Sequence, residues 1–268
     1  MTVLRFGLVL AMALAASTEA SAVRSDWVAA DEAKMRLLIA GPRDRHVAAG
    51  IEIVLEPGWH TYWHNPGETG VPPVFDFSGS RNIANVEVLY PVPERLDDGT
   101  SVSLVYNDAV VFPLKVTLAK PGEPVTLDVQ AIFGVCAEVC IPTRASAAAT
   151  LAPDAPRDPL AEARLDAFAP LVPKPAEPGR FEVLSAMAEG DAILITVRMP
   201  DSTYSDLFAD PPEGWYIGQP RFVSRAEGVS RYRLSLAGKP KDAAARGKTF
   251  SFVAAAGGEA IEQDVEIR

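Results

Sequence analysis

Two residues in this chain have side chains suited to electron chemistry, and they stand four apart. Cys136 and Cys140 in "FGVCAEVCIP" are the only cysteines, with Glu138 between them and Arg144 just beyond. A Cys-x-x-x-Cys pair can be a structural staple, half of a metal site or a dithiol that exchanges with other proteins. Four residues of extended strand span ~13 Å, whereas a disulfide needs its Cα atoms roughly 4.4–6.8 Å apart. If the cysteines pair, the chain from 136 to 140 must coil back as a tight turn or one helical turn between two strands. Pro142 suits the exit, because it cannot donate to a central ladder. Closing so small a ring stabilises by only about 2 kcal/mol in the chain-entropy account, so a staple explains little. A short ring in a loop is the kind of disulfide that exchanges. Glu138 disfavours a thiolate, so a strongly acidic thiol is not expected. The pair would wait for a docked partner.

A metal reading needs more ligands. The three histidines are His46, His60 and His64. In "GWHTYWH" strand alternation puts His60, Tyr62 and His64 on one face. Beside the cysteines, His60 or His64 could complete a zinc or Cu(I) site. The alternative is two surface histidines on a packed aromatic strand. Staple, metal and exchange all stay open on these residues alone.

The elements that must hold the pair have a period of two. Ile51, Ile53 and Leu55 face one way, with Glu52, Val54 and Glu56 on the other side. Phe112, Leu114, Val116 and Leu118 share a face, as do Val125, Leu127, Val129, Ala131 and Phe133. Such alternation marks half-buried antiparallel strands, and the turns "EPG", "DDG" and "KPGEP" separate them. Between Pro153 and Pro178 seven prolines interrupt the pattern. Leu160, Ala163, Ala167 and Leu171 there predict a short helix with that apolar face. Alternation resumes with Ile193, Ile195, Val197 and Met199, then Tyr232, Leu234 and Leu236. The expected class is all-β, with two immunoglobulin-like sandwiches joined by a Pro-rich linker. The expected layout is a signal peptide over 1–22, a redox domain over 23–152, the linker over 153–178 and a second sandwich over 179–268. The second sandwich has neither cysteine nor histidine, so thiol chemistry belongs to the first.

The N-terminus carries Arg5, an apolar stretch from Phe6 to Ala16 and the small-x-small run Ala20-Ser21-Ala22. This is the pattern of a secretory signal cut after Ala22. The apolar stretch is short for a membrane helix, and no cysteine follows the cut to take a lipid. Export to a periplasm is expected, where disulfides persist. Net charge is −10, with Arg5 and Glu19 cancelling inside the signal. An acidic chain without basic clusters argues against nucleic acid and anionic membrane surfaces as partners. The absence of Cys-x-x-Cys and of a βαβ pattern argues against a thioredoxin fold.

Three stretches, "GWHTYWHNPGETGVPPVFDF", "YPVPERL…SLVYNDAVVFPLKV" and "LDVQAIFGVCAEVCIPTRASAAATL", together resemble the N-terminal periplasmic domain of the DsbD-type thiol:disulfide interchange reductases. The ScsB (suppressor of copper sensitivity) branch is the nearer resemblance, over Trp27 to Leu151. That resemblance implies an immunoglobulin-like sandwich with Cys136 and Cys140 as the redox pair. Cys140 would be the partner-attacking thiol and Cys136 the resolving one. It implies a membrane thiol:disulfide reductase as electron donor and periplasmic thioredoxin-like acceptors, including disulfide isomerases and cytochrome c maturation proteins. No cofactor is implied. The chain resembles the family's front end, so the donor is expected to be a separate protein.

The family covers its cysteines with a cap loop that contains an aromatic residue. The corresponding stretch here is "RLDDGTSVSLVY", from Arg95 to Tyr106. It offers Asp97 and Asp98 at acidic positions, no aromatic before Tyr106, and Leu96 or Leu104 as shields. An ordinary solvated turn is the alternative for Asp97 and Asp98, and a half-buried strand residue for Tyr106. The leading expectation is a periplasmic thiol–disulfide exchange protein, in enzymatic terms a protein-disulfide reductase. The rivals are a non-catalytic binding module with a structural disulfide, and a copper-binding or copper-tolerance protein.

Overall fold

The computed structural model describes residues 25–43 and 45–268. The signal segment and its cleavage site lie outside the described residues. The first eleven strands are β1 (Val28–Ala30), β2 (Ala33–Arg43), β3 (His46–Leu55), β4 (His60–Gly67), β5 (Val74–Asp76), β6 (Ile83–Val88), β7 (Glu94–Asp97), β8 (Val102–Asn107), β9 (Ala109–Leu118), β10 (Val125–Cys136) and β11 (Cys140–Leu151). They form two sheets, in the orders β1-β2-β3-β9-β6 and β11-β10-β4-β8-β7, with β5 added on β10. The alternating apolar residues of both sheets meet in one core. It contains Ile51, Ile53, Phe112, Leu114, Leu127, Val129, Phe133 and Trp63.

The helix α1 (Pro159–Phe168) follows, with a 3-10 turn at Ala169–Leu171. Asp158 caps it by accepting from the amides of Leu160 and Ala161, and Pro159 opens it, where proline's missing N–H costs nothing. The expected apolar face is not the one that packs. Leu160 is 67% exposed, and Ala163, Ala167 and Leu171 are exposed too. Ala161 and Leu165 are buried instead, against Leu38, Ala40 and Val111. The cap and Pro159 fix where the helix starts. From there, spacing i, i+4 carries Ala161 and Leu165 onto the outer face of β2, β3 and β9.

This docking changes Glu52. Alternation had put it on the solvent side, but its side chain is 3% exposed under α1. Arg36 on β2 reaches it at 2.6 Å and Arg164 on α1 at 2.5 Å. Gly50 beside it has no room for a side chain, since a Cβ would meet Leu165 at 2.6 Å. The proline-rich segment is therefore a packed layer on the first sandwich.

The remaining strands are β12 (Lys174–Pro175), β13 (Glu182–Glu189), β14 (Ala192–Arg198), β15 (Ser205–Asp210), β16 (Arg221–Ala226), β17 (Val229–Ser235), β18 (Thr249–Ala256) and β19 (Glu259–Glu266). They form sheets β12-β19-β18-β15 and β13-β14-β17-β16. Between them lies a second core with Phe181, Ile195, Tyr232, Phe250 and Phe252. The fold is the expected pair of immunoglobulin-like sandwiches with one short helix. The two are not separate beads. Phe208, Val253, Ala255 and Ala260 of the second sandwich belong to the first one's core cluster.

Candidate functional site

β10 and β11 form a hairpin in unbroken register from Val125↔Leu151 to Cys136↔Cys140. Along β10 the odd-numbered residues from Val125 to Val135 face the core, which leaves even-numbered Cys136 on the outer face. The turn Ala137–Val139 closes with a 3.0 Å bond from the Ala137 amide to the Val139 carbonyl. Directly opposed across it, Cys136 and Cys140 are joined as a disulfide, with Cα atoms 4.1 Å apart. The two sulfurs are not equivalent. Cys136 is 1% exposed, whereas Cys140 is exposed beside Glu138 and Val139.

The cover over Cys136 is built by β4 and β8. On the outer face Cys136 clusters with Tyr62 of β4 and Val105 of β8. The Tyr62 hydroxyl lies 3.3 Å from Cys140 Sγ. A disulfide sulfur carries no proton, so the hydroxyl is the donor. His60 Nε2 lies 3.3 Å from the same hydroxyl. Which of the two donates is set by the imidazole tautomer. The chain runs His60 to Tyr62 to Cys140. Burial lowers the His60 pKa and raises that of Tyr62. At neutral pH the imidazole is uncharged and the phenol keeps its proton.

Two glycines set the Tyr62 ring. Gly70, at φ 120°, sits so close that a Cβ would lie 2.3 Å from the ring, and a Cβ at Gly134 would lie 3.1 Å from it. Residues 67–73 thus form a roof across the outer face. The Gly134 amide donates to Val71 O at 3.2 Å. Glu68 accepts from the Val102 amide at 2.7 Å, and Thr69 shares a 2.8 Å bond with Ser103.

The residues singled out from sequence scatter. Asp98 organises its own turn, and hydrogen bonds from Thr100 and Ser101 hold its pKa down to about 2. Asp97 accepts from the Gly99 amide. Tyr106 lies on the inner face of β8, donating to Pro91 O at 2.6 Å in the core, and burial drives its pKa well up. Leu104 is buried on that inner face, Leu96 is 41% exposed, and neither is in the cluster around Cys136. Glu138 stands exposed in the turn. Alternation had put His60 and His64 on one face, but the ladder breaks after Tyr62. Tyr62↔Val105 is followed by Gly67↔Ser103, five residues of β4 against two of β8. The bulge turns His64 toward Asp210 of β15, 3.7 Å away, while His60 stays by Tyr62. Among the described residues no group of three or more His, Cys, Asp or Glu side chains is arranged to hold a metal ion. Tyr62 is the site residue that sequence reasoning passed over. The signal was present, since Tyr62 shares the His60 face in "GWHTYWH".

A family model described as "Thiol:disulfide interchange protein DsbD, N-terminal" matches residues 24–152. Among solved structures, the N-terminal periplasmic domain of ScsB from Proteus mirabilis superposes with a TM-score of 0.74. The match covers 91% of this chain and 98% of that one at 21% identity, a likeness of fold. No curated protein matches. Among the described residues no helix is long and apolar enough to cross a membrane. With its hairpin disulfide on the outer face of an immunoglobulin-like sandwich, residues 24–152 match the model of DsbD N-terminal domains, and the chain has the two-sandwich fold of the ScsB N-terminal region.

Proposed function

We propose that this protein is a periplasmic thiol–disulfide exchange protein that carries two electrons on Cys136 and Cys140. A membrane thiol:disulfide reductase would supply them and periplasmic thioredoxin-like proteins would accept them. The carrying observation is the unequal exposure of the two sulfurs, with a hydroxyl donor aimed at the exposed one.

The steps follow from that asymmetry. In the reduced protein the Tyr62 hydroxyl donates to the Cys140 thiolate, which favours the charged form and opposes the nearby Glu138. The Cys140 thiolate attacks one sulfur of a partner disulfide. A mixed disulfide forms and the partner's other sulfur leaves as thiolate. Cys136, as its thiolate, then attacks Cys140 Sγ, and the partner's remaining sulfur departs as thiolate with the bonding pair and takes up a proton, completing a two-electron transfer. The partner disulfide ends reduced and Cys136–Cys140 oxidised. Recharging reverses this order: a donor thiolate attacks exposed Cys140 Sγ and Cys136 leaves.

The hairpin itself supports exchange over stapling. The β10–β11 hairpin is already zipped along both strands. Reduction should therefore cost the fold only about 2 kcal/mol, so both redox states stay folded. The test is the reduction potential of the pair, by equilibration with glutathione buffers and mass analysis after alkylation. The proposal expects roughly −180 to −270 mV, the range of exchange proteins. A value well below about −300 mV would make the bond structural.

A further inference from the structure

The second sandwich has no thiol and no imidazole, yet one of its strands grips the residues that build the redox site. Immediately after Tyr62 the β4 bulge carries Trp63, His64 and Asn65 against β15. The Trp63 ring lies 6.2 Å from Phe208. Asn65 Nδ2 donates to Ala209 O at 3.0 Å and to Asp210 Oδ1 at 3.2 Å. The other end of the same side chain, Asn65 Oδ1, accepts from the Gly67 amide at 3.1 Å. One amide side chain thus ties β15 to the first residue of the roof. Gly218 adds a second contact to the roof, since a Cβ there would lie 2.7 Å from Glu68 Oε1. β15 also holds the neighbouring hairpin. Arg95 on β7 makes a two-pronged pair with Asp206 at 2.9 and 2.8 Å, donates to Leu207 O at 3.1 Å, and lies over the Phe208 ring.

The strand is itself fixed. Gln219, 5% exposed, accepts from the Ala209 amide at 2.9 Å and donates to Ala209 O at 3.1 Å. Phe208 is fully buried in the first sandwich's core. Residues 206 to 210 therefore present a rigid row of contacts to the two segments that flank the roof.

We propose that β15 is a positioning brace: through Asn65 and Arg95 the second sandwich holds Tyr62, the 67–73 segment packed on it and the β7–β8 hairpin that carries Val105, and so keeps Cys136 shielded and Cys140 presented. Asn65, Arg95 and Asp206 are positioning residues, touching neither sulfur. The brace concerns the shielding of Cys136 and deepens the exchange reading, on which its consequence for partners rests.

The test uses the full mature chain, reduced and pulsed with iodoacetamide, with each cysteine followed by mass spectrometry. In the wild type Cys140 labels fast and Cys136 slowly. Asn65→Ala and Asp206→Asn should each speed Cys136 labelling about 2- to 30-fold, the range for residues that couple sites without touching the ligand. Labelling of Cys140 should move far less. The charge exchange of Arg95→Asp with Asp206→Arg should restore Cys136 protection. Arg233→Ala, which breaks an ion pair with Asp191 away from β15, should leave both rates unchanged. Folded Asn65→Ala and Asp206→Asn variants with wild-type Cys136 rates would overturn the brace.

If those variants do not fold, the wild-type chain decides. Coupling is reciprocal, so reducing the disulfide must alter amide exchange in residues 205–210 as well as in 62–71. Unchanged exchange in 205–210 would overturn the proposal. Should Cys136 labelling respond while the pair fails to equilibrate with glutathione, the brace stands and the exchange reading falls.

Discussion

The two sandwiches are built alike and used differently. Each packs alternating apolar residues between two sheets, and each core is closed by aromatics, Phe112 and Phe133 in one, Phe250 and Phe252 in the other. Their other faces diverge. The first sandwich has helix α1 over one sheet, and on the other Tyr62 and Val105 pack over Cys136 and leave Cys140 open. The second offers β15 to the first and carries no redox group. The lesson is that in this fold reactivity is set on the outer faces, where glycines and bulges decide what a strand can cover. The cores beneath set stability.

The largest effect should come where the sandwiches share a core. Phe208→Ala empties a fully buried aromatic site, which typically costs about 3–5 kcal/mol. In thermal unfolding it should lower the midpoint and split the transition, because it loosens the joint between the two cores. Phe250→Ala should cost about as much but hit the second sandwich alone. Identical unfolding profiles for the two variants would erase the distinction.

Next in size is the hydrogen bond on sulfur. Tyr62→Phe keeps the ring between Gly70 and Gly134 and removes only the donor. A hydrogen bond to a charged group is worth about 1.5–3 kcal/mol, or roughly one to two pKa units. The Cys140 thiol pKa, read from the pH dependence of alkylation, should rise by that much, and the Cys136 rate should hold. An unmoved Cys140 profile would remove Tyr62 from the mechanism.

The joint also carries a pair of opposed titrations. Burial lowers the His64 pKa to about 4 and raises that of Asp210 to about 6. His64 is neutral when folded but takes a proton more readily when unfolded. Its contribution is therefore present above pH ~6.5 and is lost as pH falls toward 4. Asp210 runs the other way. Its contribution is full below pH ~4 and is lost as pH rises through 6. His64→Gln should therefore destabilise less at pH 5 than at pH 7.5, and Asp210→Asn should help most at the higher pH. Melting curves at the two pH values check both signs.

The smallest effect belongs to the turn. Glu138 is exposed, so Glu138→Gln should lower the Cys140 thiol pKa by only a few tenths of a unit, the scale of one screened surface charge. A shift as large as that of Tyr62→Phe would mean that Glu138 governs the pair.

Much of this was legible in the chain. The alternation through Val125–Phe133 marked β10, and carried on to Val135 it places Cys136 outside the core. The need for the chain to coil back between the cysteines predicted a tight turn or one helical turn, and the structure shows the tight turn. What stayed illegible depends on contacts between distant segments. No local pattern shows that β4 gains extra residues after Tyr62, so His60 and His64 read as neighbours on one face. Glu52 read as exposed because alternation cannot foresee a helix docking above it. From the Arg95–Tyr106 stretch, Val105 is the residue that packs in the cluster with Cys136, beside Tyr62. Gly70 and Gly134 matter only once Tyr62 lies between them.

The most direct test of the account is the reaction of single-cysteine chains with a small disulfide. Reduced Cys136→Ala, which keeps Cys140, and Cys140→Ala, which keeps Cys136, would each be mixed with oxidised glutathione. Mixed-disulfide formation would be timed by mass. The account predicts a fast, lasting adduct on Cys140 and a much slower reaction at Cys136, as expected between an accessible, hydrogen-bonded thiolate and a buried thiol. Equal rates, or a faster Cys136, would contradict it.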